Sequence, residues 1–224
     1  MEFDHLFICV KPNAIEAELL KEFGLTEGSS NLHPGQGTAN RRFFFHNSML
    51  ELLFLTDVDE ATSEATNRTK LHERLMREDG HASPFGLCFR PIGNGEKDKN
   101  KEVGFPAWHY KPGYLPDHLH VDVGDAPVNE PMWFFLSFSS RPDSTPLEKQ
   151  QPLIHSIAVK EISSLNVSVP RVGDRSKTAQ YISSKVNNIN IIEGEEHLLE
   201  ICFDNEIKGM SHDWRPALPV IFKW

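Results

Sequence analysis

At 224 residues the chain is long enough to bury a sizeable core, in one large domain or two small ones. Hydrophobic residues at 39% and charged residues at 25% place it among globular sequences, and 23 basic against 32 acidic residues (formal charge −9) leave no dense basic stripe for nucleic acid. No apolar run approaches the roughly 18 residues of a membrane span, and MEFDHLFICV carries acids where a signal peptide needs positive charge, so a cytoplasmic protein without membrane contact is expected.

Cys9, Cys88 and Cys202 all lie inside apolar runs and are odd in number, which predicts buried free thiols in a reducing compartment. Phe3 to Val10 alternates as a short buried strand, with Phe3, His5, Phe7 and Cys9 on one face and Leu6, Ile8 and Val10 on the other. Pro12 and Asn13 end it and open a helix, AIEAELLKEF, with Ile15, Leu19, Leu20 and Phe23 as its apolar stripe and Gly24 as its stop. The loop from His33 to Asn40 is punctuated by Pro34, Gly35 and Gly37, and Thr38 and Asn40 supply side-chain hydrogen bonds. Two apolar runs follow, Phe43–Phe45 and Met49–Leu55, split by Asn47–Ser48 as a tight hairpin. Residues 1–57 therefore read as a βαβββ unit.

The second run is apolar on both faces, yet Glu51 sits in its middle. A carboxylate there is costly unless a cation, a metal or strong donors compensate it. Arg41 and Arg42 open the preceding strand and point to opposite faces; one of them is expected to neutralise Glu51 or clamp a carboxylate substrate.

From Lys70 the pattern turns helical, with Leu71, Leu75 and Met76 inward. Residues 84–138 return to strands, in the runs FGLCFRP, VGFPAWHY, HLHVDVG and MWFFLSF, with GNGEKDKNKE as a solvated linker. Arg141 to Gln151 is a polar connection. Residues 152–224 form a third unit: KEISSLNVSV as strand, KTAQYISSKV as helix, NINII and HLLEICF as strands, and LPVIFKW as a terminal strand. The first and third units match in order, and SMLELLFL beside EHLLEICFD makes Glu200 the counterpart of Glu51.

The opening DHLFICV with a helix behind it, the loop HPGQGTANRR and the run MLELL resemble the glyoxalase-like branch of the vicinal oxygen chelate superfamily. PFGLCFRP, FPAWHYKPGYLP, EPMWFFL, QPLIH, HLLEICFD and WRPALPVIFKW extend the resemblance, to an uncharacterised subfamily, over nearly the whole chain. The resemblance implies an α+β fold of repeated βαβββ modules whose strands curl into half-barrels around a pocket. It further implies a divalent ion (Zn, Fe, Mn or Ni) held from the first and last strands of a module, chelating two neighbouring oxygens of a small substrate. On this chain His5 matches the first-strand ligand and Glu51 and Glu200 the last-strand ones. Spacing offers His155 as the third unit's first-strand partner, whereas strand pattern offers Ser164, a poor ligand.

His118 and His120 are two apart on one strand face, and His120, nearer the apolar centre, is the better ligand. His33, Thr38, Asn40, Arg41 and Arg42 are candidates to border the ligand, and Trp108, Tyr110 and Trp133 to wall it. No Cys-x-x-Cys, phosphate loop, dinucleotide fingerprint or nucleophile elbow is present. The expected function is Lewis-acid chemistry on a small oxygenated metabolite, by a lyase, isomerase or dioxygenase with catalytic Glu51 and Glu200. The alternatives are a metal-free small-molecule-binding protein, as in drug-resistance relatives, and a scaffold with structural glutamates. A homodimer is expected, because curled half-barrels leave strand edges to cover.

Overall fold

The computed structural model describes residues 1–77, 80–93, 103–170 and 173–224. Most of the charged stretch read as a linker, residues 94–102, lies outside them. The N-terminal unit follows the expected order: β1 (Glu2–Cys9), α1 (Glu16–Phe23), β2 (Asn31–His33), β3 (Thr38–Phe44) and β4 (Met49–Leu55). Three short helices come next, α2 (Val58–Ala61), α3 (Glu64–Asn67) and α4 (Leu71–Met76), then β5 (Phe85–Arg90), β6 (Ala107–Tyr110), β7 (Val121–Gly124) and β8 (Met132–Phe135). The polar connection carries two 3-10 turns, Pro142–Ser144 and Leu147–Lys149. The C-terminal part holds β9 (Ile162–Pro170), α5 (Lys177–Lys185), β10 (Ile189–Gly194), β11 (Leu198–Phe203), β12 (Ser211–Asp213) and β13 (Val220–Lys223). No helix among the described residues is long and apolar enough to cross a membrane.

The first eight strands form one curled sheet, in the order β2-β3-β4-β1-β5-β8-β7-β6, and the last five a second sheet, β10-β9-β11-β13-β12. In the first sheet β1 and β5 lie antiparallel at the centre, and each has a parallel outer neighbour, β4 and β8 respectively. The N-terminal unit is thus joined edge to edge with residues 84–138, not with the C-terminal unit. The second sheet has the same arrangement in reduced form: β9 and β11 are antiparallel at its centre, flanked by the parallel neighbours β10 and β13.

Strand alternation divides the apolar residues. Leu6, Ile8, Leu50, Leu52, Leu87 and Trp133 face a core shared with Leu165, Val167, Ile201 and Phe222 of the second sheet. Phe7, Leu53, Tyr110, Val121, Met132 and Phe134 face the other way, into a smaller cluster covered by Leu71 of α4. In α1 the inward residues are Ala17 and Leu20, while Ile15 and Leu19 are exposed, against the stripe read from sequence. Phe23 does pack inward, between Trp214, Phe222 and Trp224 of the second sheet. Met76 of α4 is also exposed, and its place inside is taken by Arg74, whose guanidinium donates to the carbonyls of Ser83, Val128 and Glu130. The three cysteines are buried and free, as expected.

Candidate functional site

Because the first sheet curls, one face of its strands converges on a cavity of about 260 Å³. Its walls are Phe7 of β1, Met49 and Leu53 of β4, Val121 of β7, and Met132 and Phe134 of β8, with Leu71, Leu115, Leu136 and Phe138 closing it. The polar residues reach it from β1 (Asp4, His5), β2 (Asn31, His33), β3 (Arg42), β4 (Glu51), β6 (Tyr110) and the loops that carry Gln36, Tyr114 and Ser139.

His5 reaches the cavity by ordinary alternation, as read from sequence. Asp4 should then face the core, but a β-bulge intervenes. The β1–β5 register shifts between the pairs Phe3–Phe89 and His5–Cys88, so Asp4 is the extra residue and lines the same cavity. Its carboxylate accepts from His5 Nδ1, from Arg90 Nη1 at 3.0 Å and from Ser139 Oγ at 2.6 Å. Arg90, 2% exposed, is itself fixed by Glu2 and by the carbonyl of Asn47. Burial opposes the charges of both Asp4 and His5, but their mutual hydrogen bond and attraction outweigh it. The carboxyl is held below its usual pKa and the imidazole above its own, with Glu51 adding to the latter and Arg90 subtracting. His5 stacks edge-on against Phe134 and, with Nδ1 engaged, has Nε2 as its free atom.

Glu51 is 9% exposed, lines the cavity and makes no hydrogen bond or ion pair with any described residue. Neither arginine supplies the expected partner. Arg42 lies directly across from it on β3, but its guanidinium turns aside to the carbonyl and hydroxyl of Ser29 and to Asn31 Oδ1, against the ring of Phe44. Arg41 faces away and binds Glu27 and Glu18.

The stretch expected to be a loop, His33–Asn40, is the end of β2, a turn and the start of β3, and it contributes His33 and Gln36 to the cavity. His33 Nδ1 is 2.9 Å from Thr38 Oγ1, and burial lowers its pKa. Gln36 donates to the same hydroxyl and accepts from the phenols of Tyr110 and Tyr114, tying β6 to the loop. Thr38 therefore acts behind the lining. Asn40 binds the backbone of Asn31, and Trp108 packs under Arg68; neither lines the cavity. Asp4, Gln36, Arg90, Tyr114 and Ser139 escape the sequence reading. Alternation places Asp4 on the wrong face, and nothing local marks the other four.

The remaining expected ligands do not join His5 and Glu51. Both ring nitrogens of His155 are occupied, Nδ1 by the Thr26 amide and Nε2 by the Phe44 carbonyl. Glu200 lies on β11, the central strand of the second sheet, whereas Glu51 lies on an outer neighbour of β1, so the two are not counterparts. Its carboxylate is bound by Lys223 and Asn166, both at 2.8 Å. His120 meets His109 and Asp122 on the far side of the β6–β7 hairpin. Among the described residues, ligating atoms gather within 4.8 Å in two groups, Asp4/His5/Cys88 and His109/His120/Asp122; Glu51 belongs to neither.

A scan against protein-family models and a search of curated proteins give no match. Among solved structures the chain is similar to a hypothetical protein from Staphylococcus aureus, at 14% identity and a TM-score of 0.54, over 99% of this chain and 98% of that one. That likeness concerns the fold.

Proposed function

We propose that the chain is a glyoxalase-like protein of repeated βαβββ modules whose concave sheet binds a small, largely apolar metabolite by a donor-bearing or cationic head group. The observation that carries this reading is Glu51, a nine-tenths buried carboxylate without a partner, aimed into an apolar-walled cavity. A buried polar group left unsatisfied costs about 1–3 kcal/mol, more when charged, and a bound head group would remove that penalty. At about 260 Å³ the cavity falls below the roughly 300–1,000 Å³ of drug-sized sites, which favours a compact ligand.

The chelated ion implied by the resemblance does not fit these residues. His5 and Glu51 would be its first- and last-strand donors, and a catalytic ion takes at least a third donor from the protein. In the second half of the sheet, Gly86 of β5 stands opposite Phe7 and Phe134 of β8 opposite Cys88. Neither Gly86 nor Phe134 has a ligating side chain. In the Asp4/His5/Cys88 group, Asp4 already accepts from His5, Arg90 and Ser139, and Cys88 is fully buried.

The Asp4–His5 pair favours a second reading, proton transfer. A free imidazole Nε2 oriented by a fixed carboxylate and an unpartnered Glu51 on the same cavity are the two ends of an acid–base pair. For the binding reading, wild type and Glu51→Gln would be incubated with a cell metabolite extract and repurified, and the retained compounds identified by mass spectrometry. Wild type is expected to enrich a compact apolar compound with a donor head, and Glu51→Gln to lose it. Equal retention by both proteins, or no enrichment by wild type, would sink the reading.

A further inference from the structure

We propose that His109, His120 and Asp122 form a divalent-metal site, with zinc as its ion, on the face of the β6–β7 hairpin opposite the cavity. His109 and Asp122 are direct cross-strand partners, and His120 precedes Asp122 by two residues, so alternation brings all three to one face. Their neighbours Tyr110 and Val121 point the other way, into the cavity.

Distances identify the chemistry. The Nε2 atoms of His109 and His120 stand 3.3 and 3.4 Å from the same Asp122 oxygen, Oδ1. An ordinary N–H···O bond is about 2.7–3.2 Å long, so both contacts are loose as hydrogen bonds. With zinc–ligand bonds of about 2.0–2.1 Å, the edge of a tetrahedron is roughly 3.3–3.4 Å. The two separations are also compatible with ligands that share one ion. The imidazole planes are stacked, with centroids 4.0 Å apart and 28° between planes, and all three ligating atoms lie within 4.8 Å of one another.

Asp122 provides an independent argument. It is 7% exposed, and among the described residues it has no lysine or arginine partner. The two imidazoles are what face it, so a cation between the three side chains would satisfy a buried carboxylate. Exposure rises outward, from 9% for the Asp122 side chain to 30% for His120 and 62% for His109. The carboxylate is the floor and the imidazoles the mouth, through which an ion enters and where water completes its shell. Two imidazoles with one carboxylate select zinc over calcium or magnesium, which prefer oxygen ligands.

The test is titration calorimetry of the full chain with zinc, after chelator treatment, at about pH 7.5. Wild type is expected to bind one zinc per chain. His109→Ala/His120→Ala should bind it at least about 100-fold more weakly, having lost two ligands, with an unchanged circular dichroism spectrum. His5→Gln, altered only in the cavity, should bind as wild type does. Should the double variant not fold, His109→Ala alone, at the most exposed ligand, is expected to weaken binding at least about 10-fold. The proposal is overturned if wild type takes up no zinc at about 100 μM. It is equally overturned if the histidine variants bind as wild type does, or if His5→Gln abolishes binding.

Discussion

Glu51 and Glu200 occupy strands of nearly the same composition, MLELLFL and LLEICF, and meet opposite fates. The neighbours of Glu51 on β3 and β1 are Arg42 and Phe7, and neither binds it. Those of Glu200 on β9 and β13 are Asn166 and Ile221, and Lys223, two residues on from Ile221, reaches its carboxylate as Asn166 does. One strand edge therefore leaves a charge open to a cavity, while the other closes it with a cation and an amide. A carboxylate flanked by leucines is thus not functional by itself; the adjacent strands decide whether it becomes a site or a clasp.

Asp4 sharpens the contrast, since it is as buried as Glu51 but fully partnered. Arg90→Met removes the cation that holds it and leaves Glu2 and the Asn47 carbonyl without a donor. A loss of about 3–5 kcal/mol is expected, as for a broken buried ion pair, measured by urea unfolding. A loss under about 1 kcal/mol, the range of an exposed pair, would mean that Asp4 is no better held than Glu51.

Gly86 separates the two halves of the large sheet in the same way. A Cβ there would stand 2.0–2.6 Å from atoms of the Phe7 ring, so the space that a ligand-bearing side chain would need is already filled. Gly86→Ala is expected to cost about 1–3 kcal/mol by overpacking. A neutral outcome in thermal unfolding would show that this half can accept a side chain, and would weaken the case against an ion.

Strand order in the N-terminal unit was legible because its period-2 runs are broken by strong turn residues at Pro12, Gly35, Gly37 and Asn47. Alternation also brings His5 to the cavity and separates Arg41 from Arg42, but it does not say which arginine meets the cavity; the structure places Arg42 there. The bulge at Asp4 was not legible, because one extra residue leaves no mark on a strand of buried residues on both faces. Likewise, the similarity of SMLELLFL and EHLLEICFD hid that one strand lies beside a central strand and the other is central; pairing partners are non-local. Gln36 and Tyr114 meet through a contact 78 residues apart, which no local pattern encodes.

Glu51→Gln tests the open side of the comparison directly. Removing an unpartnered buried charge is expected to leave stability unchanged, or to raise it by up to about 1 kcal/mol. It should also lower the pKa of His5, because Glu51 is among the charges that raise it. Since the folded state favours the imidazolium, His5 stabilises fully below its unfolded value of about 6.5, and the contribution is lost as pH rises through the folded pKa. The opposite sign holds for Asp4, which stabilises above its unfolded value near 3.8 and loses this as pH falls through its depressed folded pKa. In Glu51→Gln the loss attributable to His5 should still begin near the unfolded value but be smaller and end at lower pH than in wild type, the shift being read from histidine side-chain NMR. An unshifted His5 titration would place Glu51 out of its electrostatic reach.

Glu200→Gln should give the smallest effect, and its smallness is the point. The Glu200 and Lys223 side chains are 24% and 31% exposed, so water already screens their attraction. The carboxyl pKa is lowered all the same, because the hydrogen bonds from Lys223 and Asn166 and the lysine's charge outweigh burial. Gln keeps the bond to Asn166 and loses the charge, so about 0.5 kcal/mol should disappear. That difference should shrink in about 1 M salt, where the screening length falls to roughly 3 Å. Zinc uptake and metabolite retention should both stay at wild-type levels, since Glu200 lines neither site. If Glu200→Gln instead lost the retained metabolite as Glu51→Gln does, the two glutamates would belong to one site after all. The division of labour between the two sheets would then have to be redrawn around it.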